Sequence, residues 1–422
     1  MKRAFAAAAA LSFCLSTPAF AQDADIPKTT APPAEPTAGY YDDGDNWIPP
    51  SRDRAPDTDH CPQATWPPEP VSTSERDAPG GTPAPLPQRY DGPCGVSAPA
   101  GYSVDPGVVA SAWAVVDMDT GEVVAMKDPH GRYRPASLIK VLLAMVVIDE
   151  LDMDAPVPVS AESAGQEGSA AGIGPGGTYT VRDLLHGLLL ASGNDCAHAL
   201  AQALGGDEIA LLKVNQLAQS LGMQDTRVTS YSGLDSPGMT TSAWDMALAY
   251  RAAFGNPVFA DAVDTEHYPF PGFDDLPGFE LWNDNKLYLN DPEGIGGKTG
   301  YTDDANHTFA GAVNHDGRRL LAVVLDTTAW DLRPWEQAQK LLQAAYPIPP
   351  GSGVGNLGDV ETGASTSEAP IPTPTAERER DSAPAGGRAR WVGIGAVAAV
   401  AVAAAAGTAI SLASPTRRSR RR

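Results

Sequence analysis

Positively charged residues are scarce in this chain of 422 residues. It contains 30 lysines and arginines against 52 aspartates and glutamates, so its formal net charge is −22 at pH 7 and its pI is about 4.6. Binding to phosphate groups needs clustered lysine and arginine, and this balance therefore argues against nucleic acid as a partner. The acidity favours solubility and identifies no substrate.

Cysteine is scarce as well, with four residues in the whole chain. Cys61, Cys94 and Cys196 form no cluster with histidine at the spacing of zinc ligands, so the sequence indicates no metal site and no cofactor. Disulfides persist in exported chains. We expect Cys61 to pair with Cys94 in a polar N-terminal segment, and Cys196 to be a buried free thiol in an apolar helical pattern.

The N-terminus has the pattern of a secretory signal peptide, residues 1–21. Lys2 and Arg3 supply its positive charge, residues 4–15 its apolar core, and Ala-Phe-Ala at 19–21 the small-residue cleavage site. The sequence therefore predicts that the mature protein is exported.

The C-terminal region predicts a single membrane-spanning helix, residues 390–414. Residues 391–413 carry no charge and are just long enough to cross a bilayer. A basic tail, residues 415–422, follows at once, and positively charged flanks stay on the cytoplasmic side. We therefore expect a single-pass protein of the cell membrane whose main part lies outside the cytoplasm.

Composition divides the rest of the chain into three parts. Residues 22–96 are rich in proline, aspartate, threonine and glycine, and predict a mostly disordered extension. Residues 351–389 have the composition of a Pro/Ser/Glu-rich linker. The periodic segments lie between, and residues 97–350 are long enough to bury a core of their own, so we expect one globular domain there.

The order of the periodic segments indicates the architecture of that domain. Residues 111–127 have two β-rich arms around a turn at 119–121 and predict a hairpin. The pattern becomes helical from about Ser137, returns to strands after Gly294, and closes with a helix from Pro334, where proline suits the first turn. Strands from both ends with helices between them predict an α/β (α+β) fold in which helices cover an antiparallel sheet.

A serine and a lysine open an apolar helical run in this domain. Ser137 and Lys140 stand three positions apart, on one face of a helix. A serine hydroxyl is a weak nucleophile until a base takes its proton. Lysine becomes a base when burial and a neighbouring cation favour its neutral form, and the following residues, 141–148, are apolar. The alternative for such a short motif is an exposed lysine at a helix end.

Two further triplets follow the first motif in order. Ser192-Gly193-Asn194 ends a helical segment, and Lys298-Thr299-Gly300 lies on a predicted strand. Either triplet alone is typical of a turn or a strand end. The series S-x-x-K, S-x-N, K-T-G matches the signature of penicillin-binding proteins and serine β-lactamases.

Residues 97–350 resemble the D-alanyl-D-alanine carboxypeptidases, the low-molecular-mass penicillin-binding proteins. The resemblance extends to "RYRPASLIKVL", "GGTYTVRDLLHGLLLASGNDCAHALA", "SYSGLD", "NDNKL" and "GGKTGYTDDANHTFAGA". It implies the penicillin-binding protein/β-lactamase-like transpeptidase fold, a five-stranded antiparallel sheet flanked by helices. It also implies that the substrate is the D-Ala-D-Ala terminus of peptidoglycan stem peptides and that β-lactam antibiotics are covalent inhibitors.

The resemblance and the chemistry together assign four catalytic residues. Ser137 is expected to attack the carbonyl of the penultimate D-alanine and to form an acyl-enzyme, with Lys140 as the general base. Ser192 is expected to relay the proton to the leaving nitrogen. Asn194 is expected to orient the substrate backbone and to hold Lys140.

The third motif is expected to bind the substrate. Lys298 would be the second cation, favouring neutral Lys140 and attracting the terminal carboxylate, to which the hydroxyl of Thr299 can donate. Gly300 would let the strand approach the substrate closely. The resemblance places the oxyanion hole at the backbone N–H groups of Ser137 and Tyr301.

The sequence leaves open the role of Arg333 and three rival functions. Arg333 either binds the terminal carboxylate through its planar guanidinium or is a solvated loop residue. A class A β-lactamase needs a glutamate for deacylation. Its nearest equivalent, Glu280, lies too close to the third motif, so we disfavour that function. The second rival is an endopeptidase of the same fold. The third is a non-catalytic wall-binding protein, and the intact motifs argue against it.

Overall fold

The computed structural model describes residues 40–41, 47–48, 50–76 and 81–358, in which most of the helices lie between two groups of strands. The strands are β1 (Tyr40–Tyr41), β2 (Trp47–Ile48), β3 (Val96–Ser97), β4 (Ala112–Asp117), β5 (Glu122–Lys127), β6 (Pro156–Pro158), β7 (Thr178–Thr180), β8 (His267–Phe270), β9 (Phe279–Trp282), β10 (Gly294–Thr302), β11 (Asn306–His315), β12 (Arg318–Thr327) and β13 (Gly355–Asn356). The helices are α1 (Thr73–Arg76), the 3₁₀ turn η1 (Ala136–Ile139), α2 (Lys140–Glu150), α3 (Ala161–Ala164), α4 (Val181–Leu190), α5 (Asn194–Ala203), α6 (Asp207–Ser220), α7 (Ala243–Phe254), α8 (Pro257–Val263), α9 (Lys286–Asn290) and α10 (Pro334–Ala345).

The central sheet is antiparallel, with the strand order β10-β11-β12-β4-β5. These five long strands confirm the expected five-stranded sheet, and the two-residue strands β3 and β13 extend it at β5. The predicted hairpin is β4 and β5. Asp117 shapes its turn by accepting hydrogen bonds from the backbone N–H groups of Asp119 and Thr120, at 3.1 and 3.0 Å.

Helices cover both faces of this sheet, because alternate residues of its strands point to opposite sides. On β4, Ala114 and Val116 belong to the larger core, which contains most of α2, α4, α5 and α7. Trp113 and Val115 belong to a second core beneath α10. The helix α2 is buried along most of its length, so its first residue, Lys140, begins inside the protein.

The N-terminal segment differs from the prediction of a mostly disordered extension at 22–96. Residues 50–76 and 81–96 pack against the globular domain predicted at 97–350, and the disulfide expected between Cys61 and Cys94 is present. Cys196 is a buried free thiol, as predicted.

Basic side chains of the domain hold this segment through its backbone carbonyl groups. Lys127 Nζ donates to the carbonyl oxygen of Pro56 at 2.8 Å, and Arg134 Nη1 donates to that of Pro68 at 2.7 Å. Proline has no N–H, so a proline-rich segment keeps carbonyl groups free as acceptors. Its composition predicted disorder because the cations that bind it are distant in the sequence.

The domain also continues beyond its predicted end at residue 350. Strand β13 pairs with β5, and Glu122 Oε2 accepts a hydrogen bond from the backbone N–H of Gly351 at 2.8 Å. The predicted signal peptide, the remainder of the linker, the membrane helix and the basic tail lie outside the described residues. Within the described ranges, no helix has the length and apolar character needed to cross a bilayer.

Candidate active site

Ser137 lies on the tight turn η1, immediately before α2. Two glycines let other segments approach its backbone. A Cβ atom on Gly233 would lie 2.9 Å from Ser137 N and 2.0 Å from Ala136 O, and one on Gly300 would lie 3.1 Å from Ser137 N. Gly300 therefore permits a close approach, and in the free protein that approach is to the backbone of Ser137. Ala136 has a left-handed φ of 47°, a conformation that is uncommon for residues other than glycine.

Lys140 brings the first two motifs together. Its side chain is completely buried, and its Nζ lies 2.8 Å from Ser137 Oγ, 2.7 Å from Asn194 Oδ1 and 2.6 Å from the carbonyl oxygen of Ser232. Amide and carbonyl oxygens can only accept hydrogen bonds, whereas a serine hydroxyl can donate one. When Lys140 is neutral, Ser137 is therefore the only one of these three partners able to donate to its lone pair.

The surroundings of Lys140 favour the neutral amine. Burial lowers the pKa of Lys140 well below its usual range, and the positive charge of Lys298 lowers that pKa further, against weaker opposing effects of Asp284 and Asp195. Lys298 is thus a second cation that acts on Lys140.

Asn194 is oriented by a loop that crosses the start of α5. Its Nδ2 donates to the carbonyl oxygen of Glu167 at 2.6 Å, which leaves Oδ1 facing Lys140, and its backbone N–H donates to the carbonyl oxygen of Ser169 at 2.7 Å. The next residue, Asp195, fixes the same loop.

The buried carboxylate of Asp195 accepts hydrogen bonds from the backbone N–H groups of residues 171–173 at 2.8–3.1 Å, and from that of Cys196. Sequence reasoning missed this residue, although its place beside Asn194 in the second motif was the available signal.

Ser192 is buried, with a left-handed φ of 59°. Among the hydrogen bonds of the described residues, none involves its hydroxyl group. Ser192 stands two positions before Asn194 in the sequence, and among the described residues no hydrogen bond connects it with Lys140. Its proposed role as a proton relay therefore depends on the bound substrate.

The third motif lies on β10, beside Ser137. Lys298 is buried, and its Nζ donates to the carbonyl oxygen of Thr299 at 3.0 Å. Burial lowers the pKa of Lys298, while the negative charge of Asp284 raises it. The hydroxyl of Thr299 donates to Asp284 Oδ2 at 2.8 Å. Asp284 and the Ser232 carbonyl are two parts of the site that the motifs did not indicate.

Tyr301 and Arg333 lie toward the edge of the cleft. The partly exposed ring of Tyr301 contacts His307, with 4.8 Å between ring centroids. Arg333 is exposed at the start of α10. The pKa of His307 is lowered by burial and by the charge of Arg333. The positive charge of Arg333 thus acts on a residue that contacts Tyr301. No hydrogen bond among the described residues connects the guanidinium of Arg333 with the third motif.

Glu280, the weak candidate for a deacylating glutamate, is exposed on β9. Its Oε2 lies 2.7 Å from His267 Nδ1, and the pair forms part of the β8–β9 hairpin. Within the part of the chain that the structure describes, no three His, Cys, Asp or Glu side chains are grouped as metal ligands would be.

Comparison with a protein-family model gives a match over residues 100–329, slightly more than half of the chain. The family is peptidase S11, described as D-alanyl-D-alanine carboxypeptidase, and the matched residues include all three motifs. D-alanyl-D-alanine carboxypeptidase DacB2 of Mycobacterium tuberculosis is 40% identical over 263 residues, which cover 61% of this chain and 90% of that protein. D-alanyl-D-alanine carboxypeptidase DacD of Salmonella typhimurium is 31% identical over 251 residues, covering 56% and 63%.

Solved structures show the same similarity. The crystal structure of a D-alanyl-D-alanine carboxypeptidase from Mycobacterium tuberculosis has a TM-score of 0.59 and 39% identity, and covers 62% of this chain and 99% of that one. The Streptomyces K15 DD-transpeptidase has a TM-score of 0.55 and 25% identity, covering 58% and 100%.

Proposed function

The chain belongs to the peptidase S11 family of D-alanyl-D-alanine carboxypeptidases, and from its site geometry we propose how its residues perform that reaction. It is a serine-type peptidase that removes the terminal D-alanine from peptidoglycan stem peptides and is acylated by β-lactams. The observation that carries the proposed mechanism is the set of three partners around Lys140 Nζ, in which only Ser137 can donate a proton.

The acylation step follows from that geometry. Ser137 Oγ forms a bond to the carbonyl carbon of the penultimate D-alanine, and its proton moves to the neutral amine of Lys140. The negative charge that develops on the substrate oxygen is stabilised by the backbone N–H groups of Ser137 and Tyr301. The C–N bond then breaks, and the proton held by Lys140 passes through Ser192 to the leaving D-alanine nitrogen, which restores the neutral amine. Water later hydrolyses the ester.

The two lysines divide their tasks by their protonation states. Lys140 must be neutral to accept a proton, whereas Lys298 must be charged to attract the terminal carboxylate of the substrate. Each charge disfavours the other at short range. Lys298 forms an ion pair with Asp284, whose Oδ2 lies 4.0 Å from its Nζ, and no carboxylate of the described residues forms an ion pair with Lys140. This asymmetry supports the assignment of Lys140 as the base and Lys298 as the anion-binding residue.

Product analysis tests the proposed function and its nearest rival. Wild-type protein is incubated separately with a synthetic stem pentapeptide ending in D-Ala-D-Ala and with a cross-linked peptide dimer, and the products are identified by mass spectrometry. We expect loss of one D-alanine from the pentapeptide. Cleavage of the dimer without release of D-alanine from the pentapeptide would instead identify an endopeptidase.

We also propose that the domain works on the cell-wall side of the cell membrane. The support is the pattern of residues 1–21 and of the uncharged stretch 391–413 with its arginine-rich flank. After an alkaline carbonate wash, the full-length protein is expected in the membrane pellet, and a chain ending at residue 389 in the supernatant. Release of the full-length chain by the wash would contradict the proposed anchor.

A further inference from the structure

The loop between β9 and α9 is held rigidly on both sides of Asp284. Asn283 Nδ2 donates to two backbone carbonyl oxygens within residues 263–265, at 2.9 and 3.1 Å, and its Oδ1 accepts the backbone N–H of Asn285 at 3.0 Å. Asn285 caps α9, and the backbone N–H of Asp284 donates to the carbonyl oxygen of Leu190. The two asparagines are therefore structural, and the side chain between them reaches the site.

Asp284 contacts both anion-binding side chains of the third motif. Its Oδ2 accepts the hydroxyl proton of Thr299 at 2.8 Å and lies 4.0 Å from Lys298 Nζ. The side chain of Asp284 is 38% exposed, so solvent reaches it, whereas that of Lys298 is 1% exposed. In the free protein, Asp284 thus engages the two side chains to which the proposed function assigns the substrate carboxylate.

Substrate binding conflicts with this arrangement. The terminal carboxylate of a stem peptide needs the hydroxyl proton of Thr299, and a hydroxyl group has only one proton to donate. The substrate must take that proton from Asp284 and must place its own negative charge beside that of Asp284. Two carboxylates that compete for one hydroxyl proton carry like charges and repel each other.

We infer that Asp284 is a specificity-determining residue, which keeps Lys298 and Thr299 engaged in the free enzyme and opposes the binding of any carboxylate there. The inference rests on the proposed function, because that function assigns the substrate carboxylate to these two residues. Asp284 opposes the binding of the leaving D-alanine just as it opposes the binding of the substrate, because both molecules carry a carboxylate. After acylation it reclaims the Thr299 hydroxyl, which favours departure of the product and admission of water.

An Asp284→Asn variant tests the effect of the negative charge alone, because the asparagine side-chain oxygen can still accept the hydrogen bond from the Thr299 hydroxyl. With a pentapeptide ending in a free carboxylate, we expect KM to fall roughly two- to fivefold, in line with a partly exposed ionic interaction. The inhibition constant of free D-alanine should fall by a similar factor. The inhibition constant of the same peptide ending in a carboxamide should change less, and added salt should narrow the difference between variant and wild type.

An Asp316→Asn variant is the matched control, since it removes one carboxylate at the exposed β11–β12 turn, and its KM should equal that of wild type. Thermal unfolding checks each variant, and Asp284→Ala replaces Asp284→Asn if the latter unfolds. An unchanged or raised KM for the acid peptide, or equal changes for the acid and the carboxamide peptides, overturns the inference. If wild type releases no D-alanine, the proposed function itself fails and the inference fails with it.

Discussion

A Ser137→Ala variant should release D-alanine from a stem pentapeptide at least about 10⁴-fold more slowly than wild type, because no other group can form the acyl-enzyme. The fold should be retained, since the partner of the Ser137 hydroxyl is the amine of Lys140, which keeps its bonds to Asn194 and to the carbonyl group of Ser232. D-alanine release gives the rate. Intact-mass spectrometry after exposure to penicillin should show an adduct on wild type and none on the variant.

Ser220→Ala is a suitable control, because Ser220 is exposed near the end of α6 and donates only to the carbonyl oxygen of Leu217. The Ser220→Ala variant should release D-alanine at the wild-type rate and should form the penicillin adduct. A Ser137→Ala variant that released D-alanine at the wild-type rate would eliminate the serine mechanism.

A Lys140→Arg variant should lose roughly 10³-fold in kcat/KM for the pentapeptide, and acylation by penicillin should slow comparably. A guanidinium remains protonated at any assay pH and cannot accept the proton of Ser137. The measurements are steady-state D-alanine release and the time course of the penicillin adduct. Lys340→Arg, on the exposed side of α10, is the matched control and should keep its activity.

The pH dependence provides a second measurement of the role of Lys140. Burial and the charge of Lys298 lower its pKa and so favour the neutral amine, and activity should fall as the pH drops through that pKa and the amine becomes protonated. Replacing Lys298 with glutamine removes a charge that lowers this pKa. The pKa of Lys140 should then rise, and the acid limb of kcat/KM should move to higher pH. An acid limb that stayed in place in Lys298→Gln would argue against Lys140 as the titrating base.

The reacting groups were predictable because their chemistry needs short, regular spacing. Ser137 and Lys140 must share one face of a helix start, and Lys298 and Thr299 must follow each other on one strand, so each pair leaves a local pattern. Two β-rich arms around a turn likewise marked the hairpin of β4 and β5. The three motifs in order were enough to identify the fold and the family, and they predict Ser137 as the nucleophile.

Other parts of the site have no comparable local pattern. The carbonyl oxygen of Ser232 holds Lys140, but every residue has a carbonyl group, and its use depends on a loop almost a hundred residues away in the sequence. The contact of Asp284 with Thr299 depends likewise on how a loop meets a strand.

The amino-acid order alone therefore determined the family and the candidate reacting groups, since helix and strand periodicity act over a few residues. Only the folded chain decided their surroundings: the packing of residues 50–76 on the domain, the carbonyl group of Ser232 beside Lys140, and the carboxylate beside Lys298. These features arise from contacts between distant segments, where backbone acceptors and single charges meet, and such groups are too common along a sequence to reveal their partners.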